Sequence, residues 1–138
     1  TRGELFEWRN SIEGRLAEII VLDQFSRNIF RNDARAFKYD CIALTLSQEA
    51  SLKKEVNDLP VQKRAFLYMP MMHSESLIVH EKAVEVFSGP GLEGSLEFEI
   101  KHKKIIEQFG RYPHRNEILG RVSTSEEIEF LKGPGSSF

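Results

Sequence analysis

An all-α fold is what this sequence predicts, on three observations. Apolar residues recur at three- and four-residue steps along most of the chain, the period of one helix face. Glycine and proline cut that pattern into helix-length pieces. No alternating apolar–polar run is bounded by hairpin dipeptides, so no strand is expected. Six to seven helices follow.

In LFEWRNSIEGRLAEIIVL the residues Leu5, Trp8, Ile12, Leu16, Ile19 and Ile20 form one stripe, predicting a first helix that ends near Phe25-Ser26. A polar connector, RNIFRNDAR, leads to a second helix over about Ala34 to Glu55. Asn57-Asp58-Leu59-Pro60 reads as a turn, with Pro60 suited to the first helical position. The third helix, VQKRAFLYM, should stop near Pro70, because proline disfavours a helical residue before it. A fourth covers about Ser74 to Phe87 and breaks at SGPG. The fifth spans about Leu92 to Phe109, with Leu96, Ile100, Ile105 and Phe109 towards the core and Gly110 as its cap. Pro113 to Leu119 should form two turns closed by Gly120. Thr124-x-x-Glu127, beside Ser123-x-x-Glu126, is a capping-box signature that opens a last helix through Leu131. The tail GPGSSF should be irregular.

Helix pairs joined by short turns suggest antiparallel neighbours in a bundle or an α-solenoid. Ala83-x-x-x-Phe87 matches a fragment of the tetratricopeptide pattern, but its tryptophan–glycine signature is missing. At 138 residues the chain is one domain, 1–138, large enough for its own core. Thr1 stands where a methionine would open a complete chain, so the segment reads as a fragment lacking an N-terminal helical stretch.

With 41% hydrophobic and 29% charged residues the composition is that of a soluble globular domain. A net charge of −2 argues against a nucleic-acid partner. The longest apolar run, Ala65 to Met69, argues against a membrane span, which needs about 20 residues. A single cysteine, Cys41, excludes an intrachain disulfide and a thiolate cluster, and a reduced cytoplasmic setting is expected. In YDCIALTL that cysteine reads as an inert core thiol.

Metal and cofactor chemistry find little support, and none is expected. His80-Glu81 begins like the zincin pattern, but Val84 stands where its second histidine belongs. His73 and His80, if on one helix, lie about 10 Å apart along its axis, too far to share an ion. Glu99-x-x-His102 is half of a di-iron carboxylate motif, and such bundles need two. No nucleophile elbow or phosphate loop is present; Ser74 and Ser76 beside His73 are sequence neighbours, which seldom build a triad.

Three polar strings resist a bland reading. They are Asp23-Gln24-Phe25-Ser26-Arg27-Asn28-Ile29-Phe30-Arg31, Met72-His73-Ser74-Glu75, and Gly110 to Arg121. Each lies where a helix should begin or end. A helix start carries partial positive charge, so Arg111, His114 and Arg115 around Pro113 need an anion nearby. Asp23, Asp40 or Glu75 from another helix end would supply it internally through charge-assisted hydrogen bonds. Alternatively, an external phosphate or carboxylate occupies the place.

The strings LDQFSRNIFR, AFKYDCIAL, FLYMPMMHSES and FGRYPHRNEILGRVSTSEEIEFL resemble, in order and over nearly the whole chain, the signature blocks of the bacterial family known as domain of unknown function 924. The resemblance implies a tetratricopeptide-like right-handed superhelix and no assigned activity. Its blocks fall on Asp23, Arg27, Asn28 and Arg31, on His73 and Glu75, and on Arg111, His114, Arg115, Asn116 and Arg121. Ser26 stands where the family usually has proline, and Ser76 where it usually has aspartate, which removes a carboxylate beside His73 and Glu75.

Three readings stay open. In the first, a helical scaffold or binding module uses Arg27, Arg31, Arg111, His114 and Arg115 to hold an anionic group of a peptide or a small metabolite. In the second, an enzyme uses His73 or His114 as acid–base, with Glu75 orienting the imidazole and arginines holding the substrate. In the third, every polar group is paired internally. An enzyme should show a pocket with a histidine inside; a peptide scaffold should expose Phe30 or Tyr112 along an open groove.

Overall fold

The computed structural model describes residues 2–137, and every regular element among them is helical, as expected. A 3-10 turn, Phe6–Asn10, precedes helix α1, Ile12–Ile20. Ser11 separates them: it is extended, and its side-chain oxygen accepts the Gly14 N–H at 3.1 Å, a serine N-cap. The predicted first helix is therefore broken, and Trp8 is exposed instead of joining the stripe. From α1 the chain runs on through a widened π turn, Val21–Phe25, into α2, Ser26–Ile29. Helical structure thus extends about one turn past the predicted end and carries Asp23 and Arg27 with it.

The predicted helix over 34–55 is three pieces. They are a 3-10 turn Ala34–Phe37 capped by the Asp33 side chain, helix α3 Asp40–Ser51, and a 3-10 turn Lys54–Asp58. Helix α4, Val61–Met72, starts one residue after Pro60 and passes through Pro70. The proline removes one backbone donor near the helix end, while Leu67, Met71 and Met72 hold that turn in the core. Helix α5 is Leu77–Phe87, and α6 is Glu93–Phe109, closed by Gly110 at φ 68°. A short 3-10 turn, Pro113–Arg115, begins with the proline as predicted. Helix α7, Ser125–Leu131, opens on the Thr124/Glu127 capping box, both halves of which are made.

Helices α3 to α6 each pack on the next in sequence, and α1 packs on α3 and α4. The main core joins Leu16 and Ile19 of α1, Ala43, Leu46 and Ala50 of α3, Leu67 and Met71 of α4, and Ala83 and Phe87 of α5. A smaller core of Ile105, Ile106 and Tyr112 is flanked by Phe109 and Phe130. Two register expectations need correction. Cys41 is exposed, because α3 turns Ala43, Leu46, Ser47 and Ala50 inward and leaves the cysteine on the other face. Ile100 is exposed too, since α6 buries Glu99 and His102 in its place. No helix among the described residues is long and apolar enough to cross a membrane.

Candidate functional site

The polar residues singled out in the sequence separate into two groups in space. One group ties the C-terminal elements to the link between α4 and α5. Arg121 grips Glu75 with two hydrogen bonds of 2.7 and 2.9 Å, and Glu75 also accepts the Tyr112 N–H at 2.7 Å. Burial acts against the Glu75 carboxylate, but Arg121 and the Tyr112 N–H bring its pKa below the ordinary value. Arg111 grips Glu127 in the same bidentate way, at 2.6 and 2.8 Å, and Asn116 donates to that carboxylate and accepts from Arg121. Around the turn at Pro113, Glu75 thus serves the Tyr112 N–H and Arg121, and Glu127 serves Arg111. Arg111, Asn116, Arg121, Glu75 and Glu127 form one internally hydrogen-bonded network.

The second group lines a cleft of about 770 Å³ between α2, the 3-10 turn at Ala34–Phe37, the end of α4, α6 and the turn at Pro113. Its walls include Arg27, Asn28, Arg31, His73, His102, His114 and Arg115, and none of the described residues lining it is an aspartate or glutamate. Phe37, Met69, Met72, Phe98 and Ile118 supply an apolar part. Among the described residues no group of three or more His, Cys, Asp or Glu side chains is placed to hold a metal ion.

Arg115 is buried, with its guanidinium over the rings of Phe37 at 4.9 Å and Tyr112 at 4.4 Å. Its anionic neighbour is Asp40, at 3.8 Å, and Asp40 is taken more closely by Arg27 at 2.9 Å. Arg115 Nε and Asp40 Oδ1 are both buried without a hydrogen-bond partner among the described residues. Burial, with Arg27 close by, lowers the Arg115 pKa to about 10, so the group stays charged near neutrality. Arg31 stands exposed at the rim.

His73 ends α4 and faces this cleft, with Asp23 of the π turn behind it at 2.8 Å from Nδ1. Asp23, not Glu75, orients the imidazole. The Arg27 Nε–H is aimed at the same Nδ1 from 3.3 Å, the longer of the two contacts. The shorter carboxylate contact decides the tautomer, because a lone pair on Nδ1 would repel Asp23 at that distance. Nδ1 therefore carries the proton and donates it to Asp23, which leaves the lone pair on Nε2. Burial pushes the His73 pKa below its ordinary value, and Arg27 and Arg115 add to that against the pull of Asp23. Burial opposes the Asp23 carboxylate, yet His73, Arg27 and Gln24 outweigh it and hold its pKa at about 2. Burial likewise lowers His102 and His114 to about 4. Near neutral pH the cleft's positive charge is carried by arginine alone.

Beneath the cleft lies a buried network that sequence reasoning missed. His80 Nδ1 is 2.6 Å from Glu99, and its Nε2 is 2.9 Å from the Ser74 carbonyl. The Tyr112 hydroxyl, 3.1 Å from the same Nε2, donates to the Met72 carbonyl at 2.6 Å. Tyr112 is fully buried, and its ring packs against those of His102 and His114. The available signal was a histidine on the inner stripe of one helix and a glutamate on that of the next. Read along the sequence, each matches only a fragment of a metal motif.

These features define an all-helical protein with a cationic, partly apolar cleft. The chain belongs to the family described as Bacterial protein of unknown function (DUF924), whose model matches residues 1–135. It is also similar to the solved structure of a protein of unknown function from Agrobacterium tumefaciens, with 35% identity and a TM-score of 0.88. That likeness covers 96% of this chain and 75% of the other. No curated protein matches the chain.

Proposed function

We propose that the cleft binds a small molecule through an anionic group, a phosphate or a carboxylate. The observation that carries this reading is a wall with three arginines and no acidic side chain among its described lining residues. Arg115 supports it, being buried, lying over two rings and only loosely matched by Asp40. A guanidinium so placed has donors to offer and little freedom left to lose on binding. Phe37, Met72 and Phe98 would cover an apolar portion of the ligand. A small molecule is favoured over an extended peptide, because Tyr112 is fully buried and Phe30 half-buried.

Thermal unfolding in the presence of phosphate, sulfate, acetate and succinate tests this. An anion at a hundred times its Kd adds about 2.7 kcal/mol, which raises the Tm by roughly 9 °C in a domain of this size. Arg31→Ala, at an exposed position, should keep the wild-type Tm without ligand and lose much of the shift. If no anion raises the Tm, or Arg31→Ala and Arg115→Lys respond as the wild type does, the reading fails.

A further inference from the structure

We propose that His73 is the nucleophile of a phosphoryl-transfer reaction in this cleft, acting on a small phosphate monoester. The inference rests on the anion-binding reading above. It starts from the Asp23–His73 pair: a buried carboxylate holds Nδ1–H at 2.8 Å, and Nε2 is the ring nitrogen left with its lone pair. His73 sits among the cationic residues of the wall, with Arg27 and Arg115 close by and Arg31 at the rim. Arg27 and Arg115 both lie over the Phe37 ring, at 5.3 and 4.9 Å, and both approach the same Asp40 oxygen. Three guanidiniums thus face two carboxylates, neither of which lines the cleft. The net excess is one positive charge, and the three guanidiniums together offer N–H donors for more than the two oxygens of a carboxylate, which suits a phosphoryl group.

The choice of nucleophile over general base follows from the chemistry of phosphate monoesters. Their transition state is loose, so withdrawing a proton from the attacking group gains little. An imidazole lone pair that needs no deprotonation avoids that step. In the first step Nε2 forms a bond to phosphorus while the ester P–O bond breaks. The electron pair leaves with the ester oxygen, which takes a proton from solvent. The ring becomes an N-phosphorylated imidazolium, its positive charge facing Asp23 through Nδ1–H. In the second step water attacks phosphorus, the N–P bond breaks, its electrons return to Nε2, and the proton that the water sheds goes back to solvent. The sum is R–O–PO₃²⁻ + H₂O → ROH + HPO₄²⁻, with no oxidant or further reactant. The charged and titratable groups around His73 are Asp23 and Arg27 from the π turn and α2, Asp40 from α3, His102 from α6 and Arg115 from the turn at Pro113.

The test uses p-nitrophenyl phosphate as substrate. Release of p-nitrophenolate is followed, and alkaline-quenched protein is mapped by mass spectrometry for a phosphoryl group. Binding of inorganic phosphate is measured in parallel by calorimetry. The wild type should release p-nitrophenolate and carry the phosphoryl group on His73. His73→Asn keeps an N–H for Asp23 while deleting Nε2, and should lose both signals while still binding phosphate. Asp23→Asn can donate to Nδ1 and so favours the tautomer without a lone pair on Nε2. It should slow turnover on the order of a hundredfold with little change in phosphate Kd. Absence of phosphoryl-His73 from the wild type, or full activity in His73→Asn, overturns the proposal. Phosphate binding without turnover sinks only the nucleophile; loss of both sinks the cleft reading as well.

Discussion

Glu99 has no exposed surface, and one of its oxygens, Oε2, is buried without a hydrogen-bond partner among the described residues. Its other oxygen meets His80 Nδ1, while His80 Nε2 faces the Ser74 carbonyl and the Tyr112 hydroxyl, which gives its own hydrogen to Met72. Each of these three hydrogen-bond partners faces the ring with an oxygen, so a proton has to lie between Nδ1 and the Glu99 carboxyl. Burial favours protonated Glu99 and raises its pKa, with His80 opposing. Removing one member of such a pair strands the other. Glu99→Ala should therefore cost about 3–5 kcal/mol, and Glu99→Gln clearly less, as read from urea unfolding midpoints. Near-wild-type stability of Glu99→Ala would show that the pair is not structural. At this scale the sequence exposed the chemistry but not the pairing. Arg111 and Arg121 were visible as a cationic cluster needing anions, yet their partners, Glu127 and Glu75, lie 16 and 46 residues away. Glu75 is legible in the sequence among three candidate anions and Glu127 as a cap, but nothing local says which arginine each of them takes.

Among the helices, α1 carries a glycine whose role periodicity does not reveal. A Cβ built on Gly14 would lie 2.0 Å from the Trp8 carbonyl oxygen, a backbone atom that cannot swing aside. Gly14→Ala should improve intrinsic helix propensity by up to about 1 kcal/mol, yet the clash forces the turn at Phe6–Asn10 off α1. Overpacking of this kind costs about 1–3 kcal/mol, so net destabilisation is expected in a thermal melt. A higher Tm would show that the turn is not held there. The elements themselves were largely legible, because caps act locally: Gly110 and the Thr124/Glu127 box fell where predicted. Pro70 did not stop α4, since core contacts of Leu67, Met71 and Met72 outweigh one lost backbone bond. Cys41 and Ile100 were placed on the wrong faces for a related reason. Hydrophobicity alone rotates a helix by its apolar residues, whereas α6 is rotated by a buried Glu99 and His102.

Across the whole molecule, buried imidazoles set the response to acid. His73, His102 and His114 all have folded pKa values below the ordinary 6.5, the latter two at about 4. The unfolded chain therefore binds more protons between those values, and stability falls as pH drops from about 6.5 towards 4. Asp40 and Glu99, raised by burial, oppose this over the acid part of that range. Asp23, held at about 2, adds a further loss as pH falls from about 4 towards 2. His102→Phe isolates one contribution: the stability difference between pH 7 and pH 4 should shrink by on the order of 3 kcal/mol relative to wild type. Urea midpoints at the two pH values give the answer, and an unchanged difference would remove His102 from the account.

By itself the sequence determined the helical class, the caps and breaks between helices, and the presence of arginine, histidine and carboxylate at helix ends. Those properties depend on neighbours within a turn or two, where periodicity and backbone geometry act directly. Only the tertiary structure decided which of those charges meet each other and which face the cleft. It paired Glu75 with Arg121, put Asp23 behind His73 and set Arg115 over two rings in a wall with no acid among its described lining residues. Like residues such as Arg111 and Arg115, four positions apart, thus take different roles, because each side chain's partner is set by how distant helices pack.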